Sequence, residues 1–228
     1  MNSLTQDSSG LLGSTEAILK LEEKDCAEIL VISDSHNNPF TFQKILEEKG
    51  SKSDLLVFCG DGINDLLQII HRASASKEIA KILPPVIAFA QGNGDASIYP
   101  IKNPSYDDDK TKPAFSQLKV PQVQGFKVAG HRAIVTHGHL FSIYSGTEKL
   151  LHLAKTDNSE LIFYGHTHVA TSRLNPGKIL TLNPGSISRP RGGQVPCFSS
   201  LQVKKGSSDF LPIIWQVTGG ASLPYNPR

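Results

Sequence analysis

Residues 28–50, EILVISDSHNNPFTFQKILEEKG, join an apolar run to a helical pattern through a polar turn, and this stretch decides the fold. The run EILVIS is short and rich in Ile, Leu and Val, which indicates a buried strand. After it, Asn38 suits a helix N-cap, Pro39 suits the first helical position, and Gly50 ends the helical spacing of apolar residues. A strand followed by a helix is the repeating unit of an α/β protein.

Outward from this stretch, the chain repeats the pattern of an apolar run that stops at a polar cluster. The further examples are LLVFCGDGIND (55–65), VIAFAQGNGD (86–95), AIVTHGH (133–139) and LIFYGHTH (161–168). A second helix is predicted from about Asp65 to Leu83, because the two prolines that follow end it. This alternation favours an α/β core in which helices cover a sheet.

The second half of the chain also carries hairpin signals. Turn residues interrupt apolar alternation within residues 124–137, within 169–183 and around Gly206. These hairpins predict a second layer made of strands. The polar segment NPSYDDDKTKP, residues 103–113, is interpreted as a solvated loop, with a cation site at its three aspartates as the alternative.

The length of 228 residues accommodates one sizeable domain with its own core. We expect a single domain over residues 28–218 and a C-terminal tail over 219–228. Residues 1–27 are polar enough to form a loose or helical extension outside the core.

Charge and cysteine content exclude several classes of protein. A net charge of +2, with scattered Lys and Arg, gives no surface for a nucleic acid. The three cysteines are far apart and outside any CxxC pattern, which argues against a disulfide framework and a thiolate zinc site. Neither a signal peptide nor a run of membrane-spanning length is present, so we expect a cytoplasmic protein without a membrane partner. A homo-oligomer is left open.

Every polar cluster that ends a predicted strand contains a residue type that binds metal ions. In open α/β sheets, ligands gather outside the carboxyl ends of the strands. The candidates are Asp34, His36, Asp61, Asn93, His137, His166 and His168. Seven carboxylate, imidazole and amide ligands without thiolate suit two divalent ions; manganese is favoured, with zinc, iron or nickel as alternatives.

The ordered motifs DSH, GD, GN, THGH and GHTH resemble those of the calcineurin-like metallophosphoesterase superfamily. The short DSH start, the THGH and the tail NPGSISRPRGG are similar to its compact YfcE-like phosphodiesterases, from about Glu28 to Val217. The resemblance implies an α/β fold in which two β-sheets form a sandwich flanked by helices, in the order α/β/β/α. It also implies a ligand set: Asp34, His36 and His168 for one ion, Asn93, His137 and His166 for the other, and Asp61 as the bridge.

A dinuclear phosphodiesterase is the function that this resemblance implies. In it, a metal-bridging hydroxide attacks phosphorus in line, and the substrate is a small phosphoester. A phosphomonoesterase or nucleotidase is one alternative. A low-activity binding scaffold, similar to the retromer subunit with this fold, is the other.

One departure from the family pattern concerns the proton donor. Many members have a histidine after the asparagine of GN, where this chain has Gly94, and a positioned acid contributes about 10²- to 10⁴-fold. We therefore expect slow turnover unless the leaving group is acidic, such as an aryl oxygen. His139 is the nearest substitute in the sequence, with orientation of His137 as its alternative role. Arg189 and Arg191 are candidates for a substrate phosphate, with structural salt bridges as the alternative.

Overall fold

Two β-sheets pack face to face at the centre of the protein, in a computed structural model that describes residues 1–102, 111 and 114–227. The helices are α1 (Thr15–Glu23), α2 (Pro39–Lys49), α3 (Ile63–Ala75), α4 (Lys77–Ile82) and α5 (Glu148–Asp157). The strands are β1 (Cys26–Ile32), β2 (Leu55–Phe58), β3 (Val86–Phe89), β4 (Ile98–Lys102), β5 (Phe115–Lys119), β6 (Val123–Val128), β7 (His131–Thr136), β8 (Leu161–Phe163), β9 (Thr171–Asn175), β10 (Ile179–Asn183), β11 (Cys197–Lys204), β12 (Ile213–Gln216) and β13 (Leu223–Pro224).

The first sheet has the strand order β13-β12-β11-β1-β2-β3, and its β1, β2 and β3 are parallel. The second sheet has the order β6-β7-β8-β10-β9, and its β7, β8 and β10 are parallel. Strands β4 and β5 form a separate antiparallel hairpin. The three hairpins predicted from the sequence are confirmed as β6–β7, β9–β10 and β11–β12. The expectation that all three build the second layer is wrong for β11–β12, because β11 pairs with β1 in the first sheet.

Side-chain alternation along the strands produces four layers. In β1, Ile29 and Val31 face the second sheet, where they pack with Leu161 of β8 and its neighbours. Leu30 and Ile32 point the other way, into a cluster with the apolar faces of α2 and α3. Helix α5 covers the outer face of the second sheet. The predicted α/β/β/α sandwich is therefore confirmed.

Helix α2 forms as predicted. The side-chain oxygen of Asn38 accepts a hydrogen bond from the Thr41 backbone N–H at 3.1 Å, and Pro39 occupies the first helical position. The predicted second helix is wrong in one respect, because it is two helices that meet at Ser76. The backbone of Ser76 is extended, and its hydroxyl accepts from the N–H of Ile79, so that it caps α4 instead of continuing α3.

The N-terminal segment is not outside the core, which corrects the expectation for residues 1–27. Leu11 packs between the sheets, while Leu4 and Leu12 lie in the apolar cluster under α2 and α3. Leu12 exchanges two backbone hydrogen bonds with Ile87, at 2.8 and 2.9 Å. The segment thus covers the exposed edge of β3, where unpaired backbone groups need partners. A few apolar residues in a polar stretch are sufficient for this role.

At the other end of the chain, the tail contributes β13 to the first sheet, and the hydroxyl of Ser222 donates to Glu48 on α2 at 2.8 Å. The three aspartates of residues 103–113 lie outside the described residues. No helix in the described part of the chain is long and apolar enough to cross a membrane.

Candidate metal centre

The carboxyl ends of five parallel strands, from both sheets, meet at one edge of the sandwich. The turns that follow these strands carry all seven predicted ligands: Asp34 and His36 after β1, Asp61 after β2, Asn93 after β3, His137 after β7, and His166 and His168 after β8. The two sheets are joined here, since His137 Nδ1 lies 2.8 Å from the carbonyl oxygen of Cys59.

Asp34, His36 and His168 form a first compact cluster. The two imidazole Nε2 atoms are 3.0 Å apart, and Asp34 Oδ1 lies 3.1 Å from His168 Nε2 and 3.8 Å from His36 Nε2. Three potential ligand atoms that converge in this way form a site for a single cation.

His137 is the centre of a second cluster. Its Nε2 lies 3.2 Å from Asn93 Oδ1, 3.5 Å from Asp61 Oδ2 and 4.0 Å from Asp34 Oδ1. Asp61 Oδ2 is also 3.9 Å from His36 Nε2, so both carboxylates face both clusters. The compact groups of His and carboxylate ligand atoms share Asp34, and the role of Asp61 as the bridge stays a prediction.

His166 lies beside the second cluster without joining either compact group among the described residues. Its ring centroid is 5.1 Å from that of His137, and its backbone N–H donates to Asp34 Oδ2 at 3.2 Å. The structure therefore brings all seven candidates together, with the imidazole of His166 at the periphery.

The carboxylate of Asp34 has one oxygen with no hydrogen-bond partner. The residue is fully buried, and its Oδ2 accepts from the Ser33 hydroxyl at 2.5 Å, whereas Oδ1 has no donor among the described residues. A buried, unpaired carboxylate oxygen is costly. Because this oxygen points at imidazole nitrogens, the donor set fits a bound divalent cation.

The outer ring nitrogens of two histidines are fixed by carbonyl oxygens. His137 Nδ1 donates to Cys59, as described above, and His168 Nδ1 donates to the carbonyl of Arg189 at 2.6 Å. A carbonyl oxygen only accepts, so each Nδ1 carries a proton, and in the neutral ring each Nε2 is left with a lone pair toward the cluster. Fixed tautomers of this kind are typical of metal-binding histidines.

Backbone strain is concentrated at these turns. Five of the seven candidates have left-handed backbone conformations: Asp34 (φ 54°), His36 (44°), Asp61 (55°), His166 (69°) and His168 (58°). Each such residue costs about 1–3 kcal/mol unless the surrounding structure holds it, and such strain gathers at functional sites. This geometry is what aims side chains from neighbouring turns at one point.

The lowered pKa values of Asp61, His36 and His166 favour the protonation states that bind metal, whereas the raised pKa of His137 shows how strongly the carboxylates attract positive charge. Burial raises the pKa of Asp61, but the hydrogen bond and charge of His137 and the N–H of Gly94 outweigh it, so the pKa lies well below its usual range. Burial lowers the pKa of His36, which the carboxylates only partly offset, and burial with the nearby His137 lowers that of His166. Burial also opposes charge on His137, yet the adjacent carboxylates raise its pKa overall. A cation is thus favoured between them.

Asp95, which follows Gly94, is a functional residue that the sequence reasoning missed. Its carboxylate accepts backbone N–H groups from Asp61 (2.7 Å), Gly62, Ile63 and Gly92 (3.0 Å each). It therefore ties the turn after β2, which carries Asp61, to the turn after β3, which carries Asn93. Asp95 is visible in the sequence as the last residue of GNGD. The spacing of the motif does not reveal, however, that its carboxylate accepts hydrogen bonds from backbone N–H groups.

Comparison with known sequences places this geometry in a family. A sequence model of the calcineurin-like phosphoesterase superfamily domain matches residues 28–206. The chain belongs to that superfamily. It is 27% identical over 180 residues to the probable metallophosphoesterase YsnB of Bacillus subtilis, covering 79% of this chain and 86% of the relative. It is also 27% identical over 199 residues to the phosphodiesterase YfcE of Escherichia coli, covering 82% and 91%.

Solved structures show the same phosphoesterase fold. A predicted phosphoesterase from Streptococcus pneumoniae superimposes with a TM-score of 0.59 at 25% identity, over 89% of this chain and 98% of that one. Vacuolar protein sorting 29 from Cryptosporidium parvum gives a TM-score of 0.63 at 16% identity, over 89% and 97%. Vps29 from Entamoeba histolytica, in complex with Zn²⁺, gives 0.58 at 18%, over 87% and 97%.

The departure of this chain from the phosphoesterase pattern lies beside Asp61. The N–H of Gly94 donates to Asp61 Oδ1 at 2.8 Å, and a Cβ at this glycine would lie 3.3 Å from the same oxygen. His139, the predicted substitute, places its ring centroid 5.5 Å from that of His137 and 6.1 Å from that of His166. Its buried Nδ1 has no partner in the described chain, so it does not orient His137 through that atom.

The two arginines predicted to bind phosphate, Arg189 and Arg191, lie at the rim of the candidate site. Both side chains are exposed, and neither forms an ion pair with a described carboxylate. Arg191 instead donates to the Tyr144 hydroxyl at 2.8 Å. Asn183 and Ser186 shape the adjoining turn: the Ser186 hydroxyl donates to the Asp34 carbonyl at 2.7 Å, and the Asn183 amide donates to the backbone of the GHTH turn.

Proposed function

We propose that this chain is a two-metal phosphodiesterase that hydrolyses small phosphate diesters. The observation that carries the proposal is the buried, unpaired Oδ1 of Asp34, which faces the Nε2 atoms of His36, His137 and His168. A carboxylate oxygen in that position requires a cation, and three imidazoles supply the rest of a divalent site.

The residues divide between two ions: Asp34, His36 and His168 hold one, Asn93, His137 and His166 the other, and Asp61 lies between them. When bound, the ions activate water and neutralise charge on the phosphoryl oxygens. The chain itself aligns these ligands. The carbonyl oxygens fix the tautomers of His137 and His168, and the hydrogen bonds of Asp95 to backbone N–H groups, which we call the Asp95 clamp, hold the strained turns. Manganese is the proposed metal, with zinc, iron or nickel as alternatives, because imidazole, carboxylate and amide ligands without thiolate suit divalent ions of this group.

The absence of a side chain at residue 94 supports a diester over a monoester substrate. With no acid at this position, the leaving group departs without a positioned proton donor, which favours activated esters. A diester also carries one fewer negative charge than a monoester, so the site has less charge to accommodate. The relative YfcE is named a phosphodiesterase, in agreement with this choice. Phosphomonoester or nucleotide hydrolysis is the alternative within the same chemistry.

A binding scaffold without catalysis is the alternative of a different class, because Vps29 shares this fold. The intact ligand set favours the enzyme. All three cysteines are unpaired, which agrees with a reducing compartment, and a cytoplasmic location belongs to this proposal.

Hydrolysis of two chromogenic substrates tests the proposal. Protein stripped with a chelator and reloaded with Mn²⁺ is assayed with bis-p-nitrophenyl phosphate and with p-nitrophenyl phosphate. We expect metal-dependent hydrolysis of the diester, with a higher kcat/KM than for the monoester. Faster hydrolysis of the monoester would favour the phosphomonoesterase, and no hydrolysis by metal-loaded protein would favour the scaffold.

A matched pair of variants at opposite ends of β2 controls this assay. Asp61→Asn removes the charge between the two clusters, and we expect it to abolish diester hydrolysis. Asp54→Asn removes a carboxylate that accepts from the Glu28 N–H at 3.0 Å and pairs with Lys24, away from the site. We expect it to keep full activity. Equal loss in both variants would contradict a role for Asp61 beyond folding.

A further inference from the structure

An exposed aromatic ring stands at the rim of the metal centre. Tyr144 is 65% exposed, although its ring centroid lies only 5.2 Å from that of His166. A single exposed tyrosine is ordinary on a protein surface, but its position beside the ligand cluster makes this ring a candidate binding surface.

Tyr144 is held in place from two sides. Its hydroxyl accepts from Arg191 Nη1 at 2.8 Å and donates to the His166 carbonyl at 3.3 Å. Arg191 is itself anchored, because its backbone N–H donates to the His168 carbonyl at 3.0 Å. The Tyr144 hydroxyl and the Arg191 backbone are thus each hydrogen-bonded to the backbone of one histidine of the GHTH turn, and the guanidinium is held by Tyr144.

The loop that carries Tyr144 has a defined, hydrogen-bonded backbone conformation. Gly138 and Ser142 adopt left-handed conformations, and two short hydrogen bonds close the turn: Phe141 N–H to Gly138 at 2.9 Å and Ser145 N–H to Ser142 at 2.9 Å. The ring is therefore presented by a fixed backbone, which reduces the entropy lost when a ligand stacks on it.

We propose that Tyr144 and Arg191 form a recognition surface for an aromatic ester group on the phosphate substrate. The guanidinium has five N–H donors, of which one goes to Tyr144, so it keeps donors for a phosphoryl oxygen. The exposed face of the ring contacts the aromatic group by offset stacking. This inference rests on the proposed function, because it specifies the substrate class of that same site.

A second, independent observation favours the same class of ester. Gly94, which lies beside Asp61, has no side chain that could donate a proton, and an aryl oxide departs without protonation more readily than an alkoxide. An aromatic substituent would therefore satisfy both the chemistry at Gly94 and the surface at Tyr144.

Binding of two phosphonates to Mn²⁺-loaded protein tests the inference without any hydrolysis. Phenylphosphonate and methylphosphonate share a phosphoryl group and lack a cleavable ester, and isothermal titration gives the affinity of each. We expect wild-type protein to bind phenylphosphonate roughly two- to twelvefold more tightly, the range of one favourable aromatic contact. We expect Tyr144→Ala to remove this preference and Tyr144→Phe, which keeps the ring, to retain most of it.

Phe115→Ala is the matched control, since Phe115 is a 60% exposed aromatic residue on the β4–β5 hairpin. It should leave both affinities unchanged. Equal weakening of both ligands by Tyr144→Ala would overturn the inference, because it would show that Tyr144 only positions His166. An unchanged preference would overturn it as well.

The outcome is separable from that of the proposed function. If wild-type protein hydrolyses no diester yet shows the ring-dependent preference, the recognition surface stands and the phosphodiesterase proposal fails. If the diester is hydrolysed while the preference for phenylphosphonate is absent, the phosphodiesterase proposal stands and the recognition surface fails.

Discussion

The two ends of strand β7 each carry a buried histidine, and their surroundings differ. At the amino end, both ring nitrogens of His131 have partners: Nδ1 lies 2.7 Å from Glu160 Oε2, and Nε2 lies 2.9 Å from the Lys204 carbonyl. At the carboxyl end, only Nδ1 of His137 is fixed by backbone, while Nε2 faces Asp34, Asp61 and Asn93.

The difference shows that burial alone does not identify a functional histidine. His131 is surrounded by groups that complete its hydrogen bonding, so it links β7 to Glu160 and β11. His137 is surrounded by carboxylates whose charge remains uncompensated, among them the unpaired oxygen of Asp34. A buried polar cluster with excess negative charge requires a cation, whereas a neutralised one stabilises the fold.

The largest expected effect comes from removing the histidine at the carboxyl end. His137→Ala deletes a ligand of the second cluster, so we expect loss of bound Mn²⁺ and a fall in diester kcat/KM well beyond the roughly 10- to 100-fold typical of an outer ligand-orienting partner. Elemental analysis and steady-state kinetics on the same preparation measure both effects. Full metal content with normal activity would show that the two histidines do not differ in function.

Asp95→Asn is expected to have the next largest effect. An amide has one acceptor oxygen and a donor group, so it cannot satisfy the four backbone N–H groups that the carboxylate binds. We expect kcat/KM and Mn²⁺ affinity to fall roughly 10- to 100-fold, because Asp61 loses its backbone support. Asp54→Asn is the control at the opposite sheet edge, and equal losses in both variants would refute the clamp.

Sequence reasoning predicted the α/β core and the seven candidate ligands because both depend on strongly patterned positions, while the four-layer order came from the family resemblance. Apolar runs such as EILVIS define buried strands, and the carboxyl ends of parallel strands meet at one edge wherever the fold is α/β. The seven candidates follow from this rule together with the motif series. Their division between two ions depends on distances of a few tenths of an ångström, which no sequence pattern determines.

The remaining features depend on contacts between distant segments. Leu4 and Leu12 lie in a polar stretch without periodicity, so nothing local indicates that they cover β3. Tyr144 lies outside every motif, and its position beside His166 results from the turns of its loop. The break at Ser76 did have a local signal, since serine is a preferred N-cap, but the prolines at 84 and 85 suggested one longer helix.

The smallest expected effect on activity comes from the histidine at the amino end of β7. His131→Ala leaves Glu160 and the Lys204 carbonyl without their partner, and we expect the free energy of unfolding to fall by about 1–3 kcal/mol. Urea denaturation of the metal-loaded protein measures this change. Metal content and kcat/KM of the folded variant should equal those of the wild type, and a loss of either would place His131 in the functional site.

Isothermal titration of Mn²⁺ into chelator-stripped protein tests the central claim most directly, because it counts the cations that the uncompensated cluster holds. We predict two ions per wild-type chain and fewer in Asp34→Asn, in which the buried oxygen at both clusters no longer carries its charge. Circular dichroism would establish that the variant is folded. Absence of tight Mn²⁺ binding to wild-type protein, or an Asp34→Asn variant that binds two ions as tightly, would contradict the account.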